Sequence, residues 1–473
     1  MNGKTRALRK DGIIKIITGE RFTPYALARK LKARVILESA SFKKGRERYS
    51  LLMLKEAFRI VQQGREIYME RGKNRAKIKH NGKDILDVLA YFANQHPAIH
   101  QDLPMPAGGV GFLSYEFASN CDAIRFRRKE DELKMPDAVF LFGHVFLIFD
   151  HYTDILYLLG LNYNENEIDL KKAIAETEEK INDLDFNYLA PGGENHPAEL
   201  TERSDSKEAF IEGVSRVQEE IRNGNLLQGV LSRRLWVKTN MPALEAYKNL
   251  RSTNPSPYLF YIDFDDFVLF GSSPEVHVKV KDDRVLLRPI AGTRKRGKNT
   301  EEDRALEEGL LNDEKERAEH LMLVDLARND LGRICKPGTV KVSEFMGIEH
   351  YSHVMHIVSQ VEGELAPGRS GIDAVRATFP AGTVSGAPKI KAIEIIDRLE
   401  RVQRRFYAGL VGYMEPDGNL DTCITIRSAC KINGYMILQA GAGIVLDSTP
   451  EREYEETGEK LMALAMATGA DIL

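Results

Sequence analysis

The pattern of apolar positions changes character along the chain. In the N-terminal part, "ARVILESA" (33–40), "AVFLFGHVFLIFDH" (138–151) and "DILYLLGL" (154–161) are apolar or alternating runs that read as strands, while "DILDVLAYFANQH" (84–96) has a helical period. The stretch "APGGENHPAE" (190–199) has no periodicity and reads as a linker, which divides the chain into an N-terminal region, 1–195, and a second unit, 196–473. That unit opens with an amphipathic helix over 206–223, capped by Ser206 and ended near Gly224. Strands follow in "GVLSRRLWV" (229–237), "YLFYIDF" (258–264), "FVLFGSS" (267–273), "EVHVKV" (275–280) and "RVLLRPI" (284–290). The last two are joined by a turn at Lys281-Asp282-Asp283.

A long helical stretch (300–330) breaks near Asn312, and its Thr300 to Asp303 spacing resembles a capping box. Nearer the C-terminus, "FYAGLVGYM" (406–414), "LDTCITIRSACKI" (420–432) and "YMILQAGAG" (435–443) flank Asp417-Gly418 and Asn433-Gly434, which predicts two hairpins in series. If Asp417-Gly418 closes the first, Tyr413 and Cys423 pair near its turn, and Tyr407 and Arg427 lie together at its far end. A final helix has Thr449 as cap and Pro450 at its first position. This order predicts an α+β fold with large antiparallel sheets flanked by helices, not a doubly wound sheet.

Composition narrows the function classes. With 473 residues and 43% hydrophobic side chains, the chain can bury a large core. Its 67 basic and 70 acidic residues leave a net charge of −3, so no global field draws it to nucleic acid or to a membrane. The basic clusters at 43–48, 125–129 and 294–298 have acidic residues close by and read as solvated loops. Cys121, Cys335, Cys423 and Cys430 lack C-x-x-C spacing, which argues against zinc and against a disulfide framework and fits the cytoplasm. The first residues lack a signal-peptide core, and no run approaches the roughly 20 apolar residues of a membrane span.

Two helix faces carry clustered charge. Glu316 and Glu319 lie about 60° apart on one helix, with His320 beside them, and Glu453, Glu456 and Lys460 share a similar arc on the last. They are either ordinary solvated faces or the two halves of a cation site, and an oxygen-only set suits Mg²⁺ better than Zn²⁺. Asp325 points elsewhere and should pair with Arg328 or Arg333. "PAGTVSGAPK" (380–389) fails the spacing of a phosphate loop, and "AGAG" (440–443) is either a bend exposing backbone N–H groups or a plain strand connection. His350, His353 and His356 recur every third residue, as in a metal-binding helix or in an extended segment with one functional histidine. Neither a G-x-S-x-G serine nor a cysteine nucleophile is present.

Taken together, "LLQGVLSRRL" (226–235), "NPSPYLFYI" (254–262), "GSSPE" (271–275), "RPIAGTRKRG" (288–297), "AEHLMLVDLARNDLGRI" (318–334), "YSHVMHIVS" (351–359), "GTVSGAPK" (382–389), "LDTCITIRSA" (420–429) and "AGAGIVLDS" (440–448) resemble the chorismate-utilising enzymes. The likeness runs almost continuously over 206–470 and is greatest to the anthranilate-forming members. It implies Mg²⁺ held by Glu319 and Glu456, with Glu316 and Glu453 around them. It implies that Arg427 and Tyr407 grip the enolpyruvyl carboxylate, with Lys460, Gly441, Ala442, Gly443, Gly292 and Gly386 at other substrate positions. Glu275 would be the general acid for the departing hydroxyl, Thr293 its neighbour, and His356 a helper in eliminating pyruvate. Gln228 stands where water-adding relatives place a lysine base, so ammonia is the expected nucleophile. Ala291 stands where many 4-amino-4-deoxychorismate-forming relatives have lysine, which leaves the aminating component of aminodeoxychorismate synthase as the alternative.

The same resemblance reaches the N-terminal region. "VILESASFKKGRERYSLLM" (35–53) is similar to a tryptophan-binding element, implying feedback inhibition through Glu38, Ser39 and Ser50 together with Pro257, Tyr258, Leu259, Val411, Gly412, Tyr413 and Cys423. The pattern departs at Tyr49, often lysine, and at Leu259, often methionine. Because no cysteine sits in a Gly-x-Cys-x-Gly setting, ammonia is expected from a glutamine amidotransferase partner, in a heterotetramer, or from solution.

Overall fold

The computed structural model describes residues 12–19, 22–41, 45, 46, 48–99, 102–183, 185–187, 196–351 and 354–471. Most of the expected linker, His353, residues 1–11 and part of the 43–48 cluster lie outside them.

The architecture is α+β. Among the described residues a network of 22 hydrogen-bonded strands is flanked by helices, and the pairings that frame the later site are all antiparallel. The strand Ala138–Asp150 is buried at every position, which explains its unbroken apolar sequence: both of its faces are covered. Its partner Tyr49–Gln63 separates two cores, with Leu51 and Met53 on one side and Leu52 on the other. Strands on the two sides of residue 195 interleave. Val35–Glu38 pairs with Tyr258–Asp263, and Val110–Leu113 with Leu410–Met414. No helix among the described residues is long and apolar enough to cross a membrane.

Local chemistry sets the element ends. The Ser206 hydroxyl caps Lys207–Arg222 by accepting from Ala209 N at 3.2 Å, as expected. The long helical stretch is two helices, Thr300–Asn312 and Glu314–Gly332, broken at Asp313, whose carboxylate caps the second. Asn299, not Thr300, caps the first: its side chain accepts from Glu301 N and Glu302 N, and Thr300 is already helical. Pro450–Thr468 begins after Thr449 as expected, though the Thr449 hydroxyl makes no capping bond.

The Asn433-Gly434 turn is a two-residue hairpin, with φ of 49° and 81° and Ile432 facing Tyr435. The other hairpin differs from expectation. Pro416 has no N–H and begins a short 3₁₀ turn, so the loop takes five residues and closes at Met414 and Leu420. Tyr413 therefore faces Asp421 and Cys423 faces Val411; Tyr413 and Cys423 are not a pair. "AGAG" is not a bend but the end of the strand Tyr435–Ile444, paired with Gln228–Thr239.

One buried ion pair ties these pieces together. Arg404, 2% exposed, donates to both Glu400 oxygens at 2.7 and 2.8 Å, to Val384 O at 2.8 Å and to Val230 O at 2.6 Å. Glu400 also accepts from the backbone N and the hydroxyl of Ser232, at 2.9 and 2.7 Å. Burial pushes the Glu400 carboxyl up, but Arg404 outweighs it and holds the carboxyl below its usual range. Removing one charge strands the other, so Arg404→Met is expected to cost about 3–5 kcal/mol in urea unfolding, and adding Glu400→Leu should recover part of the loss.

Candidate active site

Glu316 and Glu319 on Glu314–Gly332 meet Glu456 and Lys460 on Pro450–Thr468 across the end of the strand Gln228–Thr239. Burial raises the Glu319 carboxyl, the charges of Glu316 and Glu456 raise it further, and Gln228 and Lys460 lower it. Glu453 is 7% exposed and raised in the same way, by burial first and then by Glu456. The two acidic faces therefore share one space and one unfavourable field. That field is partly relieved from within. Gln228 Nε2 donates to Glu319 at 2.8 Å, Arg294 to Glu316 at 3.2 Å, and Lys460 pairs with Glu456 at 2.7 Å while donating to Gly441 O at 2.9 Å.

Among the described residues no three His, Cys, Asp or Glu side chains are gathered into a closed metal-ligand set. The donors nevertheless fit a hard divalent cation: several carboxylates, partly desolvated and repelling one another, with no cysteine in the set.

The facing wall is the ladder between Ile290–Lys295 and Val354–Glu364. Gly292 sits in a bulge between Ala291 and Thr293 with φ of 61°, and a Cβ there would lie 3.2 Å from a Glu316 oxygen. Its carbonyl accepts from His356 Nδ1 at 2.9 Å, with the Thr293 hydroxyl 3.2 Å from the same nitrogen. A carbonyl oxygen can only accept, so Nδ1 carries the hydrogen and Nε2 keeps a lone pair. Burial, with Arg427 and Lys460 nearby, lowers the ring to about 4, leaving a neutral imidazole at pH 7.

Arg427 adopts φ of 51° just beyond the far end of the first C-terminal hairpin. Its guanidinium makes no hydrogen bond or ion pair among the described residues; burial lowers its basicity, and Tyr407 and Glu456 act to restore it. Burial pushes the Tyr407 phenol up to about 12, and Gly441 N–H donates to it. Gly443 lies against Gln228, where a Cβ would come within 2.6 Å of Nε2. Ala442 is buried opposite Leu231, and Gly386 pairs with Gly229 beside Gln228. Glu275, 6% exposed, is raised to about 8 by burial, offset by Thr383 and Lys460, so it is an acid that keeps its proton at neutral pH.

The positions expected to bind an inhibitor lie on neighbouring strands. Glu38 faces Leu259, and its carboxylate is engaged by Tyr247 at 2.8 Å and Arg251 at 2.7 Å. Ser39 follows it, and the Ser50 hydroxyl lies 2.7 Å from His151 Nε2. Pro257 leads into the strand of Tyr258, whose hydroxyl donates to Asp421 at 2.8 Å, linking this group to the ribbon of Val411, Gly412, Tyr413 and Cys423.

Several other expectations resolve. Asp325 pairs with Arg328 at 2.9 Å, and Arg333 with Asp122. His350 ends a strand 3.4 Å from Glu307, on an extended segment rather than a helix. Lys389 is held by Asp330 at 2.6 Å. Arg294 belongs to a cluster that reads as a solvated loop, yet it grips Glu316 and Asp313; the contact depends on a strand meeting a helix and has no short-range signature.

Residues 47–466 match the family described as chorismate binding enzyme, and the chain belongs to that family. Within it, the chain falls among the anthranilate synthase component 1 proteins. It is 62% identical to the protein of that name from Spirochaeta aurantia, covering 98% of this chain and 96% of the other, and 42% identical to that from Aquifex aeolicus, covering 94% and 92%. The crystal structure of anthranilate synthase component I from Streptococcus pneumoniae TIGR4 superposes with a TM-score of 0.80 at 36% identity, covering 88% of this chain and 92% of the other.

Glu275 yields a pH prediction. Its folded value, about 8, lies above the ordinary 4.5, so the folded state binds the proton more tightly. Its stabilising contribution is full below about pH 4.5 and is lost as pH rises through about 8. Denaturant titrations from pH 4.5 to 8.5 are expected to show the natural chain losing stability with rising pH relative to Glu275→Gln.

Proposed function

We propose that this chain is the chorismate-consuming component of an anthranilate synthase, joining ammonia to chorismate and releasing anthranilate and pyruvate with Mg²⁺. The observation that carries this reading is the neighbourhood of Lys460 and Glu456, which brings together a carboxylate cluster, an arginine unpaired among the described residues, a protonated acid and a neutral base. Held by Glu319 and Glu456, with Glu316 and Glu453 around them, Mg²⁺ would neutralise the ring carboxylate and withdraw electrons from the ring.

The chain's own side chains supply the rest. Arg427 and Tyr407 orient the enolpyruvyl carboxylate, while Lys460 and the backbone at Gly441 and Gly443 face the other anionic groups. Glu275 delivers a proton to the hydroxyl leaving C4 as ammonia attacks C2. Gln228 is uncharged and cannot act as a base toward water, which leaves ammonia as the nucleophile. His356 Nε2 then removes the C2 proton as the enolpyruvyl C–O bond breaks, and the ring becomes aromatic. The ammonia comes from a glutamine amidotransferase partner in a cytoplasmic heterotetramer, because the chain has no amidotransferase cysteine of its own.

Incubating the purified chain with chorismate, Mg²⁺ and ammonium is expected to give fluorescent anthranilate and one equivalent of pyruvate, and chelation should abolish both. An aminated product that retains the enolpyruvyl group would point instead to aminodeoxychorismate formation and overturn the proposal.

Tryptophan would bind around Glu38, Ser39 and Ser50 of the N-terminal region and oppose substrate binding through the ribbon joining Val411–Tyr413 and Cys423 to Tyr407 and Arg427. Ser39→Phe, or a bulky replacement of Cys423, should raise the tryptophan concentration for half-inhibition by tenfold or more, on the order of 1.4 kcal/mol. Unaltered inhibition would exclude this route.

A further inference from the structure

His356 is asked to hold a proton in a place hostile to one. Its burial, with Arg427 and Lys460 nearby, opposes an imidazolium, and Thr293 and Gly292 offer only neutral oxygens. The compensating charge comes from the neighbouring strand. In the ladder between Lys341–His350 and Val354–Glu364, Glu349 stands directly opposite His356. Directly opposed residues of an antiparallel pair put their side chains on the same face, with Cβ atoms about 4.5–5.5 Å apart. The carboxylate of Glu349 is held in place: Arg288 donates to one oxygen at 2.7 Å and the Tyr351 hydroxyl to the other at 3.1 Å. The Tyr351 ring meets the His356 ring edge-on, with centroids 5.3 Å apart. Across the pocket Glu275 keeps its proton and offers no negative charge. None of Glu349, Arg288 or Tyr351 has a part in the reaction described above.

We propose that Glu349 is a positioning residue that serves as counter-ion to His356, with Arg288 and Tyr351 fixing its carboxylate against the imidazole face. The proposal rests on the anthranilate synthase reading. In the step concerned, the C2–H bond breaks and its proton goes to His356 Nε2. The electron pair forms the ring double bond, the C3–O bond breaks, and the enolpyruvate leaves and takes up a proton as pyruvate. Glu349 touches none of these atoms; it stabilises the imidazolium that forms.

The test is a single-turnover comparison of the full chain and Glu349→Gln with chorismate, Mg²⁺ and ammonium, following chorismate, aminated intermediate and pyruvate separately. The expected result is amination at the natural rate, pyruvate release slowed by roughly tenfold, the effect of one lost unit of basicity, and build-up of the intermediate. The acid limb of the elimination rate should move to lower pH, because removing the anion makes His356 harder to protonate, and Glu349→Asp should restore part of the rate. Equal slowing of both halves, an unchanged elimination rate or an unmoved acid limb would overturn the assignment. Failure of the functional reading looks different: the natural chain itself would then form no aminated intermediate.

Discussion

The Arg404–Glu400 pair is the constraint on which the site's framework depends. A guanidinium and a carboxylate so completely removed from water are tolerable only if their hydrogen-bonding groups are met, and here they are met by each other, by the Ser232 hydroxyl and by backbone at Val384, Val230 and Ser232. The pair ties together three separate pieces: the strand that begins with Gln228, the turn containing Thr383 and Val384, and its own segment, which leads to Tyr407. Each ends in a side chain that lines the pocket. The clasp therefore converts one electrostatic requirement into a fixed spacing between groups that have no direct contact.

The pocket inverts the usual ionisation of its two proton carriers. Glu275 is uncharged and His356 is uncharged, each because burial penalises its ionic form. Charge is concentrated instead on the carboxylates of the two helices and on Arg427 and Lys460, where an anionic substrate and a cation would meet it. A carboxylic acid able to donate and an imidazole able to accept thus coexist at one pH, a separation of roles that follows from environment rather than residue type.

Much of the fold is legible in the sequence, because periodicity and turn chemistry are local. The Asn433-Gly434 hairpin, the cap at Ser206 and the strands from residue 229 to residue 287 all follow from short stretches. The misreadings were local competitions: Asn299 outcompeting Thr300 as a cap, and Pro416 lengthening a turn that Asp417-Gly418 alone would have made shorter. The site was harder to read. Helical spacing puts Glu316 with Glu319 and Glu453 with Glu456, but no pattern within either helix says that the two faces meet. Arg294 and Glu349 act through contacts across strands and helices, and such contacts leave no short-range mark.

The interleaving of strands from the two halves of the chain has a consequence for modularity. Val35–Glu38 and Val110–Leu113 each satisfy an edge of a strand that comes from beyond residue 195. Cutting away the first half would leave Tyr258–Asp263 and Leu410–Met414 with bare amide edges, an invitation to self-association. The region that resembles a regulatory element is thus woven into the fabric of the chemical one. Variation that tunes inhibition must proceed residue by residue within a shared sheet, because the segment cannot be traded as a cassette.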